Sequence, residues 1–129
     1  MQKVNIGNEA SVSKTISETD VYNFAGICGD FNSLHIDQEK ASISRFKGRV
    51  CHGMLVASFI STVIGMYLPG EGTIYLEQNI RFIAPVFIGD TITASVKVIA
   101  IDKNVATLHT YVKKQSGEIV VDGTAKVLM

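Results

Sequence analysis

Between Val50 and Gly70 the chain carries no Asp, Glu, Lys or Arg, and Gly53 to Leu68 is a run of 16 mostly apolar residues. That is short of the roughly 20 residues needed to cross a bilayer, so the run predicts a helix inside a protein rather than a membrane span. Apolar side chains fall all round its helical wheel, which predicts burial on most sides. Ser58, Ser61, Thr62 and Gly65 nevertheless recur at i, i+3, i+4 and i+7, one stripe of small residues where another backbone or a ligand can come close. Pro69-Gly70 stops the helix.

After Gly70 the period changes from helical to two. Ile74, Leu76, Ile80 and Phe82 alternate with Tyr75, Glu77, Asn79 and Arg81, and Pro85 closes this strand. Gly89-Asp90 opens the next, with Ile92, Ala94, Val96 and Val98 on one side. Asp102-Lys103-Asn104 turns into Val105 to Lys114, and Ser116-Gly117 turns into Ile119 to Leu128. Gly123 within the last strand predicts a bulge or a close backbone approach, and His109 a surface or interface residue. Upstream, Ser11 to Ile16 alternates as a first strand. Ser17 and Asp20 then form an acidic capping box for a helix that ends at Gly29, with Val21, Phe24, Ala25 and Cys28 on one face. A second short helix is expected over Gln38 to Ile43, capped by Asp37. One hydrophobic helix followed by four consecutive antiparallel strands packs most simply as a curved antiparallel β-sheet wrapped around a long central helix. This is the α+β arrangement called a hotdog, here as a single domain over residues 1–129.

Twelve basic and twelve acidic residues cancel, with no basic block, so neither nucleic acid nor a membrane surface is an expected partner. An apolar content of 47% exceeds what a small monomer needs and predicts a homodimer. The N-terminal MQKVNIGNEASV has no apolar signal-peptide core, so a cytoplasmic location is expected. Cys28 and Cys51 form no CxxC pair and are expected to be small buried hydrophobes. His35, His52 and His109 lack the spacing of a metal site, and GxGxxG, GxxxxGK[ST] and GxSxG are absent, so no metal or other cofactor is expected. Arg45-Phe-Lys-Gly-Arg49 is expected to be solvated surface, with contact to ligand phosphates as the lesser alternative.

The polar loop before the central helix holds the chemistry. Asp30 and His35 are five residues apart and would diverge by roughly 140° on a helix, so they converge only on irregular backbone. Gly29, Asn32 and Ser33 are residues that provide it. Taken singly, Asp30 reads as a turn cap and His35 as a half-buried histidine. Gly53 stands in the first turn of the long helix, where backbone amides have no intrahelical acceptor and are free to bind an oxyanion.

The ordered set GDFNSLHID, HGMLVASFIS, LPG and FIAPVFIGD resembles the MaoC-like (R)-specific enoyl-CoA hydratases over nearly the whole chain. Ser33 departs from the family's GD-x-N-P-[LIV]-H motif, which has Pro there. The resemblance implies that Asp30 and His35 hold one water, that the Gly53 amide meets the thioester oxygen, and that Ser61 lines the site and helps to orient the loop. It also implies a homodimer with an active site in each subunit and no metal or redox cofactor.

Addition of water to an enoyl thioester needs a base, a proton for Cα and a donor for the enolate oxygen. Asp30 is the candidate base, His35 its partner and Gly53 the oxyanion donor, with Met54 and Ile64 as apolar walls. The expected product of trans-2-enoyl-CoA is (R)-3-hydroxyacyl-CoA. The bulky Ile64, Met66 and Tyr67 suggest a short acyl chain of about four to six carbons. The alternatives are a hotdog acyl-CoA thioesterase, a 3-hydroxyacyl-ACP dehydratase and an inactive acyl-binding module. Against the thioesterase, Val50 to Gly70 lacks the carboxylate such enzymes carry on or at the start of the central helix.

Overall fold

In the computed structural model, which describes residues 3–129, the alternation and capping patterns become elements in chain order. These are β1 (Glu9–Thr15), α1 (Glu18–Cys28), α2 (Ser33–Ile36), α3 (Gln38–Ser42), α4 (Gly53–Met66), β2 (Ile74–Phe82), β3 (Thr91–Asp102), β4 (Val105–Lys114) and β5 (Ile119–Leu128). The capping box of α1 forms in full: the Asp20 N–H donates to Ser17 Oγ at 3.1 Å and the Ser17 N–H to Asp20 Oδ2 at 2.9 Å. Asp37 caps α3 by accepting from the Lys40 N–H.

The five strands form one antiparallel sheet in the order β1-β3-β4-β5-β2. Its inner face carries Ile92, Ala94, Val96 and Val98 of β3, Ala106, Leu108 and Val112 of β4, and Val120, Ala125 and Val127 of β5, all buried. Leu55, Val56, Ile60, Val63 and Ile64 of α4 pack into the same core, with α4 lying over β3, β1 and β4. Each such aliphatic side chain contributes roughly 1.5–3 kcal/mol by leaving water. Register shifts at Tyr75/Glu77, Val98/Ala100 and Val112/Lys113 bend and twist the sheet around the helix. Thr110 is the buried polar position of this face, and its hydroxyl accepts from Gln78 Nε2 at 2.9 Å.

Two expectations need correction. The helix α4 is buried on one side, not most: Met54, Ser58, Ser61, Thr62, Gly65 and Met66 are exposed on the other. Its apolar residues outnumber what one core can cover, so wheel composition overstated burial. Cys28 is exposed and only Cys51 is buried, because Cys28 is the last residue of α1 and follows its packed turns. Of the two readings of Gly123, a bulge or a close backbone approach, the second holds: a Cβ there would sit 1.9 Å from the carbonyl oxygen of Asn79 on β2. Among the described residues, no helix is long and apolar enough to cross a membrane.

Candidate active site

The backbone that unites Asp30 with His35 is built from two side-chain turns. Gly29 ends α1 at φ 80°, a left-handed conformation suited to glycine, and its N–H donates to Ala25 O at 2.8 Å. Asp30 Oδ1 then accepts from the Asn32 N–H at 3.1 Å, and Asn32 Oδ1 from the Leu34 N–H at 3.0 Å. Asn32 thereby caps α2, a single turn that carries His35. Four residues are too few for a periodicity, which is why α2 was not expected from sequence.

The strand-like segment before α4 docks on this turn. The Val50 N–H donates to Leu34 O at 3.1 Å, and the Val50 carbonyl accepts from His35 Nδ1 at 2.7 Å. A carbonyl only accepts, so Nδ1 bears the hydrogen and Nε2 presents its lone pair. Nε2 lies 3.9 Å from Asp30 Oδ2, with the His35 side chain 12% and the Asp30 side chain 52% exposed. Two residues on, His52 is 2% exposed and its ring stacks on His35 with centroids 3.9 Å apart. His52 Nε2 donates to the backbone carbonyl of Asp30 at 2.9 Å.

These groups open into a cavity of about 720 Å³, within the range of small-ligand sites, whose lining is mostly apolar. Asp30, His35, His52, Gly53 and Met54 line it, with Phe82 and Val86 among the walls. Gly53 is the first residue of α4, and its N-cap His52 makes no side-chain cap bond to the first-turn amides. A Cβ on Gly53 would meet the Phe82 ring at 2.8 Å, so the ring lies against the Gly53 Cα, where a side chain would stand.

Other expected site residues lie elsewhere. Ser61 is exposed on the uncovered face of α4, Ile64 is in the core, and neither lines the cavity. Met66 and Tyr67 are also outside its lining, so the residues behind the short-chain expectation do not bound this cavity. Arg49 is not free for phosphate: its guanidinium donates to Glu18, to the Tyr22 hydroxyl at 2.8 Å and to Gln38 at 3.1 Å. The Glu18 bond raises its already high pKa and makes it a clamp between α1 and α3. His109 is bonded through Nε2 to Asp122 on the sheet.

Both cysteines line the cavity. Burial pushes the Cys51 thiol up to about 12, helped by the negative charges of Asp90 and Asp20. The proximity that sequence spacing hid is that of Asp30, His35 and His52, which offer ligand atoms within 4.8 Å of one another. Each imidazole already commits one nitrogen to a backbone carbonyl, leaving a single lone pair for any metal. The sequence signal for His52 was its place immediately before the uncharged helix; its contact with the loop depends on the docking of Val50.

Residues 2–121 match the family model described as MaoC like domain. The chain is 46% identical over 125 residues to the (R)-specific enoyl-CoA hydratase of Rhodospirillum rubrum, covering 95% of this chain and 86% of the relative. It is 43% identical over 128 residues to the (R)-specific enoyl-CoA hydratase of Aeromonas caviae, covering 98% and 96%. The solved structure of an (R)-hydratase from A. caviae involved in PHA biosynthesis superposes with a TM-score of 0.96 at 40% identity, over 100% of this chain and 99% of that one.

Proposed function

The chain belongs to the MaoC-like domain family, and from that premise we propose that it is an (R)-specific enoyl-CoA hydratase. It is a hydro-lyase that reversibly adds water to trans-2-enoyl-CoA and forms (R)-3-hydroxyacyl-CoA. The observation that carries this reading is the 3.9 Å gap between Asp30 Oδ2 and His35 Nε2 at the mouth of an apolar cavity also lined by Gly53.

Both atoms bordering the gap accept hydrogen bonds. A water about 2.8 Å from each would subtend roughly 90°, near its own H–O–H angle, and would donate one hydrogen to each. Its oxygen lone pairs then face the cavity. Attack on Cβ forms the C–O bond while the carboxylate of Asp30 takes one proton, and the alkene electrons move onto the thioester oxygen. The Gly53 N–H, at the positive end of α4, stabilises that enolate oxygen. The enolate then takes a proton at Cα from the dyad, on the face where the hydroxyl was added, so the addition is syn. One water enters and the dyad returns to its starting state.

The partner proposed is a second copy of this chain. The edge strand β2 is largely exposed, with Ile74, Leu76 and Phe82 open to solvent, and the small-residue stripe Ser58, Ser61, Thr62 and Gly65 of α4 is exposed as well. A second subunit would cover both, and Ser61 would then lie in or near the interface.

The test follows the loss of enoyl-thioester absorbance from crotonyl-CoA with free thiol measured in parallel. Hydration gives loss of absorbance without thiol release, reduced about 10²–10⁴-fold in Asp30→Asn. Thiol release would identify a thioesterase instead, and an Asp30→Asn variant as active as the parent would remove Asp30 from the mechanism.

A further inference from the structure

His52 has no part in the bond changes above, yet it touches both members of the dyad. Its Nε2–H donates to the Asp30 carbonyl at 2.9 Å, and its ring lies against His35 at 3.9 Å with a 26° tilt. Phe24 packs on it at 5.0 Å, tilted by 56°. Its other nitrogen, Nδ1, is buried and has no hydrogen-bond partner among the described residues.

That orphan nitrogen separates packing from positioning. A buried polar atom without a partner is unfavourable, and an aromatic hydrocarbon ring would fill the same slot between Phe24 and His35 without it. The polar contact that histidine adds here is the bond to Asp30. That bond fixes the main chain of a residue on a turn otherwise held by the Asn32 N–H, and Asp30 is half exposed. The stack fixes the plane of the second member.

We infer that His52 is a positioning residue for the hydration reaction: it sets the Asp30–His35 separation by holding the Asp30 carbonyl through Nε2–H while its face supports His35. The inference deepens the hydratase reading and rests on it. Lengthening the 3.9 Å separation by about 1 Å would open the angle at a bridging water from roughly 90° to about 120°, and positional errors of that size cost on the order of 100-fold in rate.

Two substitutions and one spectrum test it. His52→Phe keeps a ring against His35 but removes the donor; His52→Gln restores an N–H near the Nε2 position without the ring. With crotonyl-CoA, the Phe variant is expected to lose on the order of 100-fold in kcat with KM changed less than about threefold. The Gln variant is expected to stand at least about tenfold above it in kcat. Equal losses in both variants, a loss confined to KM, or full activity in the Phe variant would overturn the inference. Independently of activity, long-range ¹⁵N–¹H correlation spectra of the wild-type imidazoles should show His52 protonated on Nε2 and His35 on Nδ1. The opposite tautomer at His52 would refute the inference even in an active hydratase, whereas inactivity of the wild type with the expected tautomers would refute only the hydratase reading.

Discussion

The carbonyl of Val50 and the Nδ1 of His35 lie 2.7 Å apart, so a valine with no chemistry of its own determines which nitrogen of the histidine faces Asp30. The same Val50 holds α2 through its N–H to Leu34 and forms a bridge with Phe87, which ties the dyad to the loop between β2 and β3. Anchoring and the proposed chemistry therefore use opposite sides of one imidazole.

Replacing His35 by Asn separates those sides. The Asn amide retains a donor near the Nδ1 position and loses the group facing Asp30. His35→Asn is expected to melt close to the parent while kcat falls about 10²–10⁴-fold. A large fall in melting temperature with activity preserved per folded molecule would reverse the assignment.

Gly53 allows a similar separation. Both Gly53→Ala and Gly53→Pro place a Cβ 2.8 Å from the Phe82 ring, but only proline removes the amide hydrogen. Proline is tolerated at the first helical position, and His52 at φ −57° and ψ 131° has the extended conformation that a following proline requires. The Pro variant should therefore fall about 10²–10³-fold in kcat below the Ala variant, the typical effect of losing one oxyanion donor. Equal rates would show that the amide does not bind the thioester oxygen.

The two thiols are expected to react very differently. Cys51 is buried with its thiol pushed up to about 12, whereas Cys28 is exposed at the cavity. Iodoacetamide at neutral pH should alkylate Cys28 quickly and Cys51 only after denaturation, as mass spectrometry would reveal. Bulk added at Cys28 narrows the cavity, so hydration should fall with alkylation and Cys28→Ser should be resistant to the reagent.

Acid should destabilise the fold through Asp20 and Asp90. The Ser17 N–H leads the effects that hold Asp20 below its ordinary carboxylate range. At Asp90 partial burial acts upward, but Gln115, the Phe87 N–H and Lys114 outweigh it and the net shift is downward. A carboxyl with a lower pKa folded than unfolded contributes stability above its unfolded value, near 4, and loses it as pH falls through the folded value. Asp90→Asn should therefore unfold at lower urea than the parent at pH 7, and the two midpoints should converge below about pH 4. A gap that persists or widens in acid would contradict the sign.

Much of the fold was legible because it follows local rules. The Ser17–Asp20 box and the Gly29 stop depend on residues within one helix turn, and the spans Val105–Lys114 and Ile119–Leu128 depend on a simple alternation between turn residues. The small-residue stripe Ser58, Ser61, Thr62 and Gly65 marked the face of α4 that stays open, but how much of the helix is open was not legible, since its wheel is apolar all round while one sheet covers only one side. The walls of the cavity were missed because they join distant segments: Phe24 comes from α1, whereas Phe82 and Val86 come from the end of β2 and the loop after it.

By itself the sequence determined the order of the strands and longer helices, the hotdog class, the membership in a hydratase family and the candidacy of Asp30 and His35. Periodicity, capping and a dense local motif are properties of neighbouring residues. Only the tertiary structure decided that His52 stacks on His35, that Arg49 is tied to Glu18, and that Ser61 and Ile64 lie outside the cavity of one chain. Those relationships arise when Val50 and Cys51 pair with Leu34 and Val86, and hydrogen bonds between distant backbone groups leave no periodic trace in the chain.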